Sequence, residues 1–286
     1  MLPRFTPGDP ALILMSENAT AEMIEEAREF WGLNKPLPVQ YYIFISNAVT
    51  GDLGESLVTG QPTMSMVAAA FPNTLKLALS AWIWAVLLGI PLGIVAALHR
   101  NKIPDLIIRF CALVGRGMPH FWLGIMLILL FAVTLRVLPS FGLGEGGAQI
   151  RHLILPVFVL GLGTLSLVVR MVRSEMLEVL SQDFIRTARA KGLRERLVLY
   201  RHGLKNALIP VVTVMGLEIG ALMSGAIVTE TVFAYPGLGQ LAVKSIYGAD
   251  YPMIQTLVLV FAVTKIAISF MVDVSYAYLD PRIRYT

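Results

Sequence analysis

The stretch DFIRTARAKGLRERLVLYRHGLKNALIP, residues 183–210, separates two long apolar segments of the chain. Asp183 is suited to cap the N-terminus of a short helix over 184–191, because its side chain can accept a hydrogen bond from a free backbone amide. Gly192 can take the left-handed conformation that ends such a helix. A second helical run, 194–202, follows at once. The pattern predicts a helix–glycine–helix hairpin between two membrane spans.

The charge of this region allows two interpretations of the hairpin. Residues 170–205 carry nine Lys and Arg against four Asp and Glu. Because Lys and Arg are retained on the cytoplasmic side of a membrane, an ordinary cytoplasmic loop would have this composition. The alternative is a rigid lever that a cytoplasmic partner grips. Composition and spacing leave both interpretations open.

A resemblance in the amino-acid sequence of the hairpin helps to decide between these two interpretations. RTARAKG at 186–192, followed by LKNALIP at 204–210, resembles the EAA loop of ABC-importer permeases. Arg-Thr-Ala stands where the general pattern has Glu-Ala-Ala, and Leu-Ile-Pro lies further downstream. Both departures resemble features of the corresponding loop in the dipeptide/oligopeptide/nickel branch, so they narrow the resemblance to that branch of the family.

Four further motifs carry the same resemblance in order: PGDPA (7–11), GDLGESLVTG (51–60), TETVFAYPGLG (229–239) and DPRIRY (280–285). The chain therefore resembles a B-type permease subunit of that importer family. The resemblance implies an all-α integral membrane protein with the fold of a type I ABC importer transmembrane domain. It also implies a second (C-type) permease, two ATP-binding subunits that bind ATP and Mg, an extracytoplasmic substrate-binding protein and membrane lipid as partners, and no nucleic acid.

Composition independently indicates a membrane protein. The 286 residues are 56% hydrophobic and 15% charged, whereas a soluble domain has roughly 25% charged residues. The sequence has no Gly-x-x-x-x-Gly-Lys-Ser/Thr loop, so no P-loop ATP site is expected. The single cysteine, Cys111, excludes an internal disulfide, and the four histidines lack metal-ligand spacing. No catalytic, cofactor or metal site is predicted in this chain, and the energy source must be a partner or an ion gradient.

Five apolar segments predict membrane spans. The first, 77–98, has no charge, and its helix would be about 33 Å long, enough to cross the hydrocarbon core. Gly89 and Gly93, and a stripe of small residues that includes Gly216 and Gly220, predict close helix contacts. A half-polar helix over 103–116 is expected at the inner interface. The other spans are predicted at 120–138, 153–169, 206–230 and 251–276.

Charge asymmetry predicts the orientation and the domain division. Residues 16–62 carry seven Asp and Glu against two basic residues and are expected outside. The chain is then a multi-pass membrane protein with a cytoplasmic C-terminus, and the family resemblance implies that the membrane is the bacterial inner membrane. Residues 1–76 are assigned to a truncated N-terminus and an extracytoplasmic scaffold, which could equally be a solvated spacer. Residues 77–286 are assigned to the permease domain with its coupling loop, 183–210.

The N-terminal residues carry two expectations of their own. PGDPA resembles the segment just after the first transmembrane helix of B-type permeases, so that helix is expected to be absent from the chain as given. A start site placed too far downstream would explain this absence. An amphipathic helix is predicted over 20–31.

The resemblance also assigns functional residues. It implies contact with an ATPase subunit for Asp183, Phe184, Arg186, Thr187, Ala188, Ala190, Lys191 and Gly192. It implies an external gate at Glu230, Phe233, Tyr235, Pro236, Gly237 and Gly239. A helix-capping role is the alternative for Glu230.

Three charges within predicted spans are exceptional. Glu218 and Lys265 lie near the middles of two antiparallel spans, where an unpaired charge would cost about 2.5–3.5 kcal/mol or more. They are expected either to form an ion pair or to line the substrate path. Asp273 lies nearer the inner end, matches a family position and is expected to make a helix-end or loop contact.

Two other classes of protein remain as alternatives. A secondary carrier or channel could use Glu218, Lys265 and Asp273 as an ion relay, but the sequence shows no inverted repeats. A membrane scaffold without transport activity is the second. Peptides, nickel complexes, glutathione and oligosaccharides all remain open as substrates.

Overall fold

The structure is a computed structural model that describes residues 34–144, 146 and 149–279, with the single positions 20, 25 and 29. These residues are helical apart from turns and one isolated bridge, as the all-α prediction requires. The helices are α1 (Leu37–Thr50), α2 (Thr63–Leu98), α3 (Ile103–Gly117), α4 (His120–Leu127), α5 (Gln149–Leu180), α6 (Asp183–Ala190), α7 (Lys205–Val232), α8 (Leu238–Tyr247) and α9 (Tyr251–Leu279). π-helical turns follow α4 (Ile128–Thr134) and precede α7 (Val198–Leu204).

Four of the five predicted spans correspond to helices that are long and apolar enough to cross a membrane. The second, expected at 120–138, is shorter than predicted, because the helix ends at Thr134 and is only about 22 Å long. It reaches spanning length only together with α3, from which it is bent by 105°. The bend falls at Met118, whose extended backbone follows from the proline at 119, since a residue before proline avoids the α conformation.

The close helix contact predicted for Gly89 and Gly93 is present, and the structure shows that its partner is the third span. A Cβ atom added at Gly89 would lie 2.7 Å from Val168 Cγ1, and one added at Gly93 would lie 2.7 Å from Val172 Cβ. The two helices therefore approach each other as small-residue interfaces in membranes allow. The buried cluster around this contact contains Ala97, Val168, Val172, Met176, Val179, Ala207, Val211 and Met215.

The small-residue stripe of α7 packs against α9. A Cβ atom at Gly216 would lie 2.9 Å from Val272 Cγ1, and one at Gly220 would lie 3.6 Å from Ile268 Cγ2. Residue 272 is thus opposite 216, and 268 is opposite 220. This antiparallel register sets which charged residues of α7 and α9 lie at the same level and can form an ion pair.

Contacts divide the chain into two compact units. One comprises the described residues of Met1–Asn73 and Pro236–Ala262, and the other those of Thr74–Tyr235 and Val263–Thr286. The first unit therefore contains a C-terminal segment besides the scaffold assigned to 1–76. PGDPA, most of the helix predicted over 20–31, the 280–285 tail and the expectation about a first helix lie outside the described residues.

Within the first unit, the predicted glycine-rich turns of 51–62 are fixed to the start of α9. Ser56 Oγ donates a hydrogen bond to the buried Asp250 carboxylate, and the Leu57 amide donates to Asp250 Oδ1 at 3.2 Å. Thr256 Oγ1 donates to Thr63 Oγ1 at 3.1 Å. The scaffold segment is therefore ordered by side chains that lie almost 200 positions downstream.

Candidate coupling hairpin and gate segment

Helix α6 starts one residue earlier than predicted. Gln182 occupies the N-cap position with extended backbone, and Asp183 is the first helical residue. The expected capping role of Asp183 is therefore wrong. Its carboxylate instead forms an ion pair with Arg186 Nη1 at 3.2 Å. The negative charge still lies in the first turn, where it interacts favourably with the helix dipole.

The end of α6 follows the prediction. Gly192 has φ +74°, which is left-handed, and its amide donates to the Arg189 carbonyl at 2.9 Å. The Leu193 amide donates to the Ala188 carbonyl at 3.4 Å. A Cβ atom at Gly192 would meet nothing within 4 Å. Glycine is favoured here by the backbone conformation and not by lack of space.

The second arm of the hairpin is not the separate helix predicted over 194–202. One helical turn, Glu195–Leu197, leads into the π-helical Val198–Leu204, which continues without a break into α7. The Arg189 guanidinium bridges the two arms by donating to Glu195 Oε1 at 2.8 Å. This hydrogen bond raises the pKa of Arg189, so the guanidinium stays charged.

The hairpin has a small apolar core of its own. Ile185, Ala188 and Val198 are buried together, and Leu180 and Leu193 pack against them. Ala188, predicted to contact a partner, therefore faces inward. The predicted set did not include Ile185, which could have been found as the apolar residue three positions before Ala188. The remaining predicted residues of α6 and the turn are exposed: Asp183, Phe184, Arg186, Thr187, Ala190, Lys191 and Gly192.

At the other end of α7, Glu230 is buried and links two helices. Its carboxylate accepts a hydrogen bond from Thr74 Oγ1 of α2 at 2.7 Å, and its backbone carbonyl accepts from the Tyr235 amide at 2.8 Å. The side chain thus joins α7 to α2, and the helix-capping role considered as the alternative for Glu230 stays a prediction. Phe233 is buried among Leu123, Ile128, Leu155 and Val159.

Tyr235 is fully buried, and its hydroxyl has no hydrogen-bond partner among the residues that the structure describes. The preceding Ala234 has φ +45°, which is uncommon for a residue with a side chain. Burial, and secondly the charge of Glu230, raise the pKa of Tyr235 to about 12. The tyrosine is therefore neutral at physiological pH.

Tyr235→Phe is expected to leave the protein as stable as the unmodified chain or more stable, because an unpaired buried hydroxyl costs about 1–3 kcal/mol. The raised pKa contributes stability that is complete below pH 10 and is lost as pH rises from about 10 to about 12. Phenylalanine should abolish that alkaline loss. The measurement is thermal unfolding of the detergent-purified protein at pH 8 and pH 11.

Tyr247→Phe is the matched control for this change, since Tyr247 is 87% exposed and the substitution should be neutral at pH 8. A Tyr235→Phe variant that is clearly less stable at pH 8 would mean that the hydroxyl does have a partner in the native protein.

The remaining gate residues belong to the first unit. The Pro236 carbonyl accepts a hydrogen bond from Asn73 Nδ2 at 2.8 Å. Gly237 is the N-cap of α8 with extended backbone, and Gly239 is buried in its first turn. Pro236, Gly237 and Gly239 thus lie at the start of α8, and Asn73 binds the Pro236 carbonyl there.

The expected ion pair between Glu218 and Lys265 is absent from the described part of the chain. Glu218 Oε2 instead accepts a hydrogen bond from Thr164 Oγ1 at 3.0 Å, and Lys265 is exposed. The register of α7 on α9 explains this, because it brings Lys265 level with residues 223–224, about 7.5 Å along the helix from Glu218. Asp273 lies in α9, and its side chain is outside the described structure.

One buried ion pair was not predicted. The Asp105 carboxylate in α3 is inaccessible to solvent and accepts hydrogen bonds from Arg173 of α5, from Nε at 2.6 Å and from Nη2 at 2.8 Å. It also accepts from the Asn101 amide at 2.8 Å. In the sequence analysis Arg173 was counted only among the basic residues of 170–205, and Asp105 was assigned no role. The signal available in the sequence for this ion pair was Asp105, a single acidic residue at the start of an apolar helix.

Comparison with known proteins identifies the family of the chain. Residues 89–285 match the family described as binding-protein-dependent transport system inner membrane component, and residues 1–78 match the model for its N-terminal part. The chain belongs to this family. An inner membrane component of this kind is a permease subunit of an ABC importer that works with a partner permease, an ATPase and a binding protein, and carries no ATPase site itself.

Relatives of this inner membrane component include glutathione transport system permease proteins GsiC. The protein from Escherichia coli O6:H1 is 45% identical over 279 residues, covering 98% of this chain and 90% of the relative. Those from Escherichia coli K12 and Salmonella choleraesuis are 44% identical with the same coverage.

Solved structures agree in fold. An inward-facing MetNI methionine ABC transporter matches with a TM-score of 0.64 at 20% identity, over 77% of this chain and 98% of that chain. An amino acid ABC transporter with histidines matches with a TM-score of 0.59 at 16% identity, over 75% and 94%. The predicted type I importer fold of this inner membrane component is confirmed. The individual coupling, gate and path residues remain predictions.

Proposed function

We propose that this permease, paired with a second (C-type) permease, forms the path for peptides or a similar small solute such as glutathione, delivered by an extracytoplasmic binding protein. The observation that carries the proposal is the 45% identity with a glutathione permease, which extends over 98% of the chain. Because the alignment covers nearly the whole chain, it includes the segments proposed to line the path and those proposed to bind partners.

The hairpin of α6 would sit in a cleft of one of two ATP-binding subunits, which bind the ATP and Mg. Two features support this role. The exposed side chains of α6, chiefly Phe184 and Arg186, are accessible to a partner, while the buried core of Ile185, Ala188 and Val198 keeps the hairpin rigid. Closure of the ATP-binding subunits would then move the bundle from an inward-open to an outward-open state.

The orientation proposed here places the hairpin and the C-terminus in the cytoplasm, since 170–205 is strongly basic. Glu230, Phe233 and Tyr235 would then lie in the external gate segment. Their buried, hydrogen-bonded positions suit a rigid segment that closes the outer end of the path.

Lys265 would face the path between the two permeases. It is the middle residue of the 29-residue α9, so about 21 Å of helix separates it from either end. A lysine side chain is too short to reach either membrane interface from there, and contact with lipid would cost about 2.5–3.5 kcal/mol. Glu218, half-buried on α7, and Asp273, nearer the inner end of α9, would be the other charges associated with the path.

Proteoliposomes that contain both permeases, both ATP-binding subunits and the binding protein test this proposal through uptake of labelled glutathione and dipeptides. We expect uptake that requires ATP and the binding protein. Lys265→Met should lower uptake about tenfold, equivalent to about 1.4 kcal/mol in the barrier. Ile266→Met, at an exposed apolar neighbour, is the control and should not lower it.

Two results would contradict the proposal. Uptake driven by an ion gradient without ATP would favour a secondary carrier. Normal uptake by Lys265→Met, together with higher stability, would place Lys265 against lipid instead of the path.

A further inference from the structure

A basic cavity of about 310 Å³ lies between the turn that follows Ile128–Thr134 and the first turn of α5. It is separate in sequence from the coupling hairpin, the gate and the path charges. Three of its lining residues carry nitrogen donors on their side chains. The lining residues are Arg136, Val137, Leu138, Pro139, Arg151 and His152.

Contacts with the backbone fix two of these side chains, those of Arg151 and His152, and the turn that carries Arg136. Arg151 Nη2 donates to the Val137 carbonyl at 2.7 Å, and His152 Nδ1 donates to the Phe141 carbonyl at 2.8 Å. Arg136 has φ +53°, a left-handed conformation uncommon for residues other than glycine. The Val137 amide holds this turn by donating to the Phe131 carbonyl at 2.9 Å. Two of the three basic side chains and the turn that carries the third are therefore held in place.

The positive charge of the cavity is not neutralised within the described part of the chain. Arg136 and Arg151 form no ion pair there, and both are exposed. Each guanidinium carries five N–H donors in a fork that matches the oxygens of a carboxylate or a phosphate. The cavity thus has the donors for one oxyanion.

The surroundings of the cavity indicate which oxyanion. Exposed apolar side chains surround the basic residues at the ends of two apolar helices, whereas a docking face for a soluble protein or a free ion would have a polar rim. Acyl chains of a lipid can lie on such a surface while the headgroup meets the arginines. The exposed apolar residues are Val133, Leu135, Val137, Phe141, Ile150 and Ile154.

We propose that this cavity binds the phosphate of a membrane phospholipid headgroup. Arg136 and Arg151 donate to the phosphate oxygens, and the acyl chains lie along the exposed apolar side chains. An anionic lipid such as phosphatidylglycerol is favoured over a zwitterionic one, because its headgroup brings no positive charge to the arginines. The bound lipid anchors the start of α5 at the membrane interface.

The test uses the assembled importer in detergent, titrated with phosphatidylglycerol, phosphatidylcholine or inorganic phosphate, with bound lipid measured by native mass spectrometry. We expect retained phosphatidylglycerol, at least tenfold weaker retention in Arg136→Gln/Arg151→Gln, and an intermediate effect in Arg136→Lys/Arg151→Lys, which keeps the charge but not the fork. Lys76→Gln is the control, because Lys76 donates to Gln149 and does not line the cavity.

The melting temperature without lipid must match that of the unmodified complex for each variant, so that misfolding cannot imitate loss of the site. Equal retention of phosphatidylglycerol by the Gln double variant would overturn the proposal. Displacement of the lipid by inorganic phosphate at similar concentration would overturn the lipid assignment and make this a site for free phosphate.

Discussion

Gly192→Val will uncouple ATP hydrolysis from transport in the assembled importer. At φ +74° a side chain costs roughly 1–2 kcal/mol, and a β-branched one more, so valine will drive the turn after α6 into another conformation. The arms held together by Arg189 and Glu195 would then separate. We expect transport to fall at least tenfold while the protein remains inserted in the membrane, measured as uptake and ATPase activity in proteoliposomes.

Gly192→Asn separates conformation from bulk. Nothing lies within 4 Å of a Cβ atom at this position, so both substitutions have the space they need. Asparagine adopts the left-handed conformation more readily than valine, and it should keep most of the activity. Wild-type transport by Gly192→Val would leave the hairpin as an ordinary positively charged loop.

Asp105→Asn should produce the largest loss of stability among the changes considered. It leaves Arg173, whose side chain is 16% exposed, without its carboxylate partner, and breaking a buried ion pair costs about 3–5 kcal/mol. Asp105→Asn/Arg173→Met should recover much of the loss, since the orphaned charge is the main cost. Unfolding of the purified complex with denaturant measures both.

The control is Asp183→Asn, which breaks an ion pair with Arg186 whose side chains are 92% and 75% exposed. Such a pair contributes at most about 1 kcal/mol, so the variant should unfold nearly as the unmodified protein does. Losses that simply add in the double variant of Asp105 and Arg173 would show that the two residues act independently.

Features that depend on local chemistry were predictable from the sequence. The apolar lengths located four spans, Gly192 predicted the left-handed turn, and Gly89 and Gly216 marked helix contacts that the structure contains. Each of these follows from one segment and its nearest neighbours. The motif RTARAKG at 186–192 also identified the family, because it is contained within one short segment of the chain.

Features that depend on register or packing were not predictable. Equal position within two spans suggested that Glu218 would meet Lys265, but the contacts of the α7 glycines set an offset that depth alone cannot reveal. Asp105 and Arg173 lie 68 positions apart, and only the packing of α3 on α5 brings them together. Similarly, the burial of Ile185 against Val198 depends on how the two arms of the hairpin pack.

The unbroken helical path from Glu195 to Val232 has a mechanical consequence. It comprises 38 residues, about 57 Å of rod, and Pro210 lies within it without interrupting the helix. If an ATP-binding subunit binds the turn at Gly192, as proposed, one continuous helical segment joins that contact to the Glu230 carboxylate. A displacement of the turn would then be transmitted along this segment, and the π-helical turns of Val198–Leu204 and Pro210 are the two places where it departs from regular α-helix and could bend.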